Sequence, residues 1–282
     1  MRRYVIGIIG LMISLAVSAQ VTYTRADSLT ICRLLKQAPQ QAATLWFARQ
    51  FHDIPYVAHT LEVNNQEQLV VNTLELDCTT LVETVTALTL CVKQEKRQWE
   101  DYLQMLRTLR YRQGVLDGYT SRLHYFTDWI LDKQQMGLVS EIQQPNPPFT
   151  AVQRINVDFM SQHPEYYKAL KANPALVPVI RQQEQALTGK TFRYIPKQEV
   201  KNTKLMRQTV KDGDIIAITC NKKGLEIAHL GFAVWRKDGL HLLNASQLHH
   251  KVVTEPMTLR QYLGKHKTHT GIRIIRIKEQ QK

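Results

Sequence analysis

The stretch LELDCTTLVETVTALTL, residues 74–90, constrains this chain more than any other. From Thr79 to Val92 the only charged residue is Glu83, so a helix here is apolar almost all the way round and protein must cover most of its faces. Such a helix is central to the fold. Asp77 has N-cap chemistry, with a side-chain oxygen able to accept from the free N–H groups of the first turn, which places Cys78 at the first helical position. There the unpaired N–H groups and the positive end of the helix dipole stabilise a thiolate, while Asp77 opposes it by like charge.

The chain begins with a basic Met1-Arg2-Arg3, an apolar run from Tyr4 to Val17, and small residues at Val17-Ser18-Ala19. Residues 1–19 therefore read as a signal peptide cut ahead of Gln20, and residues 20–282 as one domain carrying N-terminal helices and helical regions inserted at about 95–185. The apolar run is shorter than the ~20 residues of a membrane span, so no stable membrane insertion is expected after cleavage. The expected address is the periplasm or the outside of the cell. A formal net charge of +13 favours anionic partners, which outside the cytoplasm means envelope polymers more than nucleic acid. A solvated basic face accounts for the same charge.

Four cysteines stand at 32, 78, 91 and 220. Cys78 and Cys91 lie about 20 Å apart on one helix and cannot bridge. If Cys78 is a free nucleophile, at least one of Cys32, Cys91 and Cys220 stays unpaired, and buried structural thiols are the default for these.

Asp27 or Ser28 is expected to cap a first helix with Leu29, Cys32 and Leu35 on one face, ended by Pro39. Residues 42–51 form a second helix, PYVAHTLEV is β-like, and helical patterning returns over Trp99–Tyr111 and YTSRLHYFTDWILD. QQPNPPFT is a loop, and residues 151–185 look helical in pieces. After Gly189, KTFRYIP, DGDIIAITC, IAHLGFAVW, LHLLNAS and GIRIIRI read as strands of an antiparallel sheet, an α+β order. The central helix must pack on that sheet.

A cysteine nucleophile needs a base within reach and a third group to orient it. In Ile227–Trp235, Ala228, Leu230, Phe232 and Val234 form an apolar face, and His229, Gly231 and Ala233 lie between Ile227 and Trp235 on the other, where small neighbours leave room around the imidazole. If Arg236–Gly239 is a four-residue hairpin loop, Trp235 pairs with Leu240 and Asn244 falls opposite Gly231, diagonal to His229 on its face; a two-residue Asp238-Gly239 turn keeps Asn244 on that face but opposite Ala233. Asn244 then accepts from one ring nitrogen and leaves the other for Cys78. Each residue alone has a plain structural reading, as core thiol, sheet histidine or turn asparagine. Only the joint arrangement points to chemistry.

DCTTLVE, the strand pair AHLGFAV and LLNAS, the GDIIAI strand before them and the upstream IPYVAHTLE resemble the NlpC/p60 superfamily of papain-like cysteine hydrolases that act on bacterial cell wall. The likeness is strongest to its N-acetylmuramoyl-L-alanine amidase-like branch, to which SRLHYFTDWI also points, and runs from about residue 50 to 275. It implies an α+β, papain-like core with the nucleophile helix packed on an antiparallel sheet, and additional helices. It further implies Cys78 as nucleophile, His229 as general base, Asn244 where the family more often has histidine, and Tyr56 lining the site near the oxyanion. Arg122 and His124 are weaker candidates for substrate contact, since a salt-bridged helix surface explains them equally well. The implied substrate is peptidoglycan or a muropeptide, cut between the lactyl group of N-acetylmuramic acid and L-alanine, with no cofactor. A stem-peptide endopeptidase cutting the γ-D-Glu–diamino acid bond and a catalytically silent wall-binding module are the alternatives. The C-terminal histidines 241, 249, 250, 266 and 269 come without HExxH or other tight metal spacing, TGKT lacks the first glycine of a phosphate loop, and neither G-x-S-x-G nor S-x-x-K occurs.

Overall fold

The computed structural model describes residues 21–41 and 43–278; the expected signal peptide at 1–19 lies outside them. Helices α1 (Arg25–Gln37), α2 (Ala43–Gln50), α3 (Cys78–Lys93), α4 (Trp99–Arg110) and α5 (Phe126–Gln135) form one layer. Short strands β1 (Val21–Thr22) and β2 (Leu69–Val70) pair in parallel beside it. β3 (Val139–Ile142) and β4 (Ala151–Arg154) follow, then the short helices α6 (Phe159–Gln162) and α7 (Lys168–Ala172) and the longer α8 (Val177–Leu187). The C-terminal third is β5 (Thr191–Pro196), α9 (Lys204–Thr209), β6 (Ile215–Cys220), β7 (Ile227–Trp235), β8 (Leu240–Ser246), β9 (Lys251–Thr254), α10 (Leu259–Lys265) and β10 (His269–Ile277). The main sheet is antiparallel, in the order β4-β5-β10-β6-β7-β8-β9, with β3 taking the end of β10 that β5 leaves free. No helix among the described residues is long and apolar enough to cross a membrane.

α3 is the helix its sequence requires. Asp77 is the N-cap and forms a capping box with Thr80, and every residue from Thr80 to Val92 is buried. α1, α2 and α4 wrap it, and it lies on β7 and β8, where Leu81, Val85 and Leu88 share a core with Leu230, Phe232 and Leu243. Its one buried charged side chain, Glu83, is neutralised by Arg110 of α4 at 2.7 Å. A second core on the opposite face of the sheet joins Ile216, Ile218, Ile272 and Ile274 to α9 and α10, and a third gathers around α6–α8.

Several local expectations change. Thr24, not Asp27 or Ser28, caps α1; Asp27 is the N3 member of the capping box and also accepts from Thr73 N–H at 2.7 Å, a contact 46 residues away. Ile31, Leu34 and Leu35 form the buried face of α1, while Leu29 and Cys32 are exposed. PYVAHTLEV makes only bridges, with Pro55 to Lys251 and Tyr56 to Leu76, because this segment ties the β9 edge to the residues before α3 and then turns away. β3, β4 and β9 are strands too short for alternation to declare, and β4 opens the stretch expected to be helical. Residues 119–125 are not helical beyond a single 3-10 turn; α5 starts only at Phe126. The four cysteines are all free thiols.

Candidate active site

Cys78 opens α3 and reaches the sheet at β7. The Leu230 N–H, the Thr79 hydroxyl and its own N–H lie beside its sulfur and favour the thiolate, yet its thiol is pushed up to about 12, first by burial and then by Asp77. Cys78 keeps some solvent access, but crowding about the sulfur outweighs the helix-start N–H groups expected to lower it. The resting group is therefore a thiol.

His229 precedes Leu230 on the same strand, so thiol and imidazole sit against adjacent residues of β7. The hairpin has the expected register, with Trp235 opposite Leu240 and Phe232 opposite Leu243. His229 Nε2 lies 2.8 Å from Asn244 Oδ1, leaving Nδ1 as the other ring nitrogen. Burial lowers the imidazole pKa, opposed by the Asn244 hydrogen bond and by Glu255. Thiol and imidazole thus rest in their neutral forms.

Two details of the strand differ from a simple alternation. The β6–β7 register shifts between Ile218, opposite His229, and Thr219, opposite Ile227, so Ala228 is an extra residue. Below this bulge the faces exchange: Ala228 packs into the second core and Ile227 into the first, the reverse of the expected assignment. A bulge next to His229 re-aims it, which no period-two reading could foresee. Gly231 also leaves no spare room, because a Cβ there would meet Leu243 O at 2.6 Å and Leu242 Cδ1 at 2.8 Å. What the glycine admits is β8, close enough for Asn244 to reach the ring.

Behind Asn244 the network continues. Its Nδ2 donates to Glu255 Oε1 at 3.2 Å, and the other carboxylate oxygen lies 3.1 Å from His249 Nε2. Tyr262 of α10 stands 6.5 Å from the His229 ring, and His266 and His269 stack beyond it. Glu255, which follows a strand the sequence reading missed, could have been found only from the pairing of β9 with Asn244 of β8.

Tyr56 is anchored through its N–H to His250 O and by its bridge to Leu76, directly before the α3 cap. Burial, then the neighbouring Cys78 and Asp77, push its hydroxyl up to about 12, so it is a donor at neutral pH. His124 lines the same cleft as Cys78 and His229 and bonds Tyr119 O at 3.0 Å; burial and Arg122 lower it to about 3 and keep it neutral. Arg122 is not brought to the cleft. It is buried, paired with Glu62 at 2.5 Å and Glu67 at 3.5 Å, and stacked over Tyr119, so neither it nor His124 belongs to a helix surface.

The cleft itself has a volume of about 270 Å³ and is walled also by Tyr125, Phe126, Met160, Tyr167 and Glu226. Tyr167 borders a second hollow with His59, Glu62 and Lys168, and Glu62 and Lys168 border a third of about 510 Å³. The hollows adjoin in succession along the seam between residues 59–67 and the helical pieces at 166–176. A larger cavity of about 780 Å³ lies elsewhere and is lined by no histidine or cysteine.

Residues 46–272 match the family described as AmiA-like, N-acetylmuramoyl-L-alanine amidase-like. Among solved structures, an N-acetylmuramoyl-L-alanine amidase from Bacteroides uniformis is 39% identical, with a TM-score of 0.77 over 87% of this chain and 99% of its own. A Bacteroides fragilis protein provisionally named a xylanase is 42% identical, with a TM-score of 0.77 over 83% of this chain and 100% of its own. A Legionella pneumophila protein, 22% identical, shares the fold at a TM-score of 0.68 over 89% of this chain and 94% of its own. No curated protein matches.

Proposed function

The chain belongs to the AmiA-like, N-acetylmuramoyl-L-alanine amidase-like family, and from that premise we propose that it is an exported cysteine amidase cleaving the bond between the lactyl group of N-acetylmuramic acid and L-alanine in peptidoglycan or muropeptides. We read its core as papain-like, of the NlpC/p60 superfamily, and residues 1–19 as the signal that sends it to the periplasm or outside the cell. One observation carries the reading. The thiol at the start of α3 bonds the strand that holds His229 against Asn244, and thiol and imidazole line one cleft.

The chemistry follows from two neutral groups. As Cys78 Sγ closes on the amide carbonyl carbon, its proton passes to Nδ1 of His229, so the charges appear only with the bond that needs them. The oxyanion is held by the N–H of the α3 start and the Tyr56 hydroxyl. Collapse expels the L-alanine amine, which takes the proton from His229. Water, deprotonated by His229, then hydrolyses the thioester and frees the lactyl carboxylate. The adjoining hollows offer length for a substrate with a sugar and a peptide arm.

A glycosidase reading, suggested by the B. fragilis name, requires two carboxylates flanking the bond. The cleft is lined by one, Glu226, and its oxygens are occupied by the Thr127 and Ile227 N–H groups. A stem-peptide endopeptidase would use the same machinery on another bond, and a silent wall-binding module would use none of it. Mass spectrometry of defined muropeptides after incubation distinguishes them: free stem peptide is expected, with none from Cys78→Ala. Cleavage inside the stem peptide, or unchanged turnover by Cys78→Ala, would refute the proposal.

A further inference from the structure

Asparagine is neutral, so it orients an imidazole without balancing the charge that appears when the ring takes the thiol proton. In this protein a carboxylate stands one hydrogen bond further back. Glu255 is 0% exposed, and among the described residues no lysine or arginine pairs with it. Its two oxygens are met by Asn244 Nδ2 at 3.2 Å and His249 Nε2 at 3.1 Å, and its backbone is fixed on both sides, N–H to Leu242 O and carbonyl to His241 Nδ1. A buried carboxylate with no lysine or arginine partner is costly to keep, and a glutamine would keep the bond from Asn244, and with His249 in its Nδ1–H tautomer the contact to His249, without that cost.

We infer that Glu255 is a positioning residue for the reaction, the buried counter-charge that serves His229 through Asn244. The inference rests on the Cys–His reading of the cleft. When His229 becomes imidazolium, its Nε2–H donates more strongly to Asn244 Oδ1, the amide polarises, and Nδ2–H donates more strongly to Glu255. His249, partly exposed, caps the far oxygen and holds the carboxylate in place. The other groups facing the ring do not replace it. Asp77 at the α3 start adds negative charge but is already committed to Thr80, Tyr262 presents a ring, and His266 opposes a cation on His229, as does His269 from β10.

The test is kcat/KM against pH for the full chain acting on a muropeptide with an intact lactyl–L-alanine amide. His229 must be neutral to accept the thiol proton, so the acid limb reports the imidazole. Glu255→Gln keeps an acceptor for Asn244 Nδ2, meets His249 through its Nδ1–H tautomer, and removes the charge. The expected result is an acid limb moved to lower pH by roughly 0.5–1, with kcat down about tenfold and KM little changed. A lower rate with an unmoved limb is a structural effect and overturns the inference, as does parental behaviour in both. Should Glu255→Gln not fold, Glu255→Asp and Glu255→Asn, matched in size, differ in charge alone: Asp is expected to keep the parental limb and Asn to shift it, and equal limbs overturn the inference. Cys78→Ala separates the two levels. If it turns over substrate, the Cys–His reading fails and this inference with it; if it is inert while the Glu255→Gln limb stays put, only the inference fails.

Discussion

Glu83 and Arg110 join α3 to its neighbour α4, and breaking that pair has a calculable consequence. Both residues are 2% exposed, Arg110 Nε lies 2.7 Å from Glu83 Oε2, and Arg110 also donates to Val70 O. Burial opposes the guanidinium charge, and Glu83, together with Tyr111 and Tyr102, more than compensates, so Arg110 stays protonated. Glu83→Leu leaves that cation buried with the Val70 carbonyl and only the less direct attraction of Glu67, at a cost of about 3–5 kcal/mol. At ~2–4 °C per kcal/mol for a chain of this size, Tm falls by roughly 6–20 °C. In the double variant Glu83→Leu/Arg110→Met the charge is gone; an apolar replacement of a buried pair is neutral to favourable, but Val70 O loses its donor at about 1–3 kcal/mol. The double variant should therefore lie within about 2 kcal/mol of the parent. Urea denaturation of all four members of the cycle measures this. A loss under about 1 kcal/mol in Glu83→Leu, or a double variant no better than the single, would refute the reasoning.

Gly231→Ala drives a methyl into Leu243 O and Leu242; a stability loss of about 1–3 kcal/mol is expected, with kcat reduced because Asn244 is pushed off His229, and parental stability and rate together would contradict it. Asn244→Ala removes the 2.8 Å anchor of the ring and orphans a Glu255 oxygen; at ~1.5–3 kcal/mol for a hydrogen bond to a charged group, kcat should fall roughly 10- to 150-fold, read by steady-state kinetics on the muropeptide. The Cys78 thiol, raised to about 12 mainly by burial, is protonated through the whole neutral range. Peptide mapping after brief iodoacetamide treatment should find exposed Cys32 labelled ahead of Cys78 at pH 7, and labelling of Cys78 should still be rising above pH 9; a plateau near pH 8.5 would show an ordinary thiol.

What the sequence revealed depended on the distance over which each feature is specified. The α3 start is local: Asp77, Cys78 and Thr80 lie within one turn, and their chemistry reads directly as a capped helix with a thiol at its tip. The β7–β8 hairpin is nearly as local: Asn244 shares the face of His229 for either turn length, and the four-residue loop Arg236–Gly239 sets Trp235 against Leu240 and brings Asn244 to His229. Asp27 has cap-like chemistry but spends it at N3 and toward Thr73, 46 residues away and beyond the reach of local sequence. Residues 119–125 carry helical periodicity, yet Arg122 is drawn into a bridge to Tyr111 and pairs with Glu62 and Glu67, which outweighs propensity. Glu255 was invisible for the same reason: its importance comes from the β8–β9 register, and KVVT is too short to announce a strand.

The site is therefore assembled from one locally specified piece and one that depends on sheet register, and burial sets how they act together. A thiol stabilised as thiolate by a helix start would be reactive at rest toward any electrophile. Here burial raises the thiol and lowers the imidazole, so both rest neutral. On the proposed Cys–His mechanism, the cost of that restraint is a cation formed inside protein during catalysis. A neutral third residue makes the cost larger, which is why a carboxylate behind Asn244 matters more in this chain than it would behind a charged partner. The same logic explains the tight hairpin: the Asn244–Glu255 link can carry charge stabilisation to His229 only while Gly231 lets β8 approach within hydrogen-bonding distance of the ring.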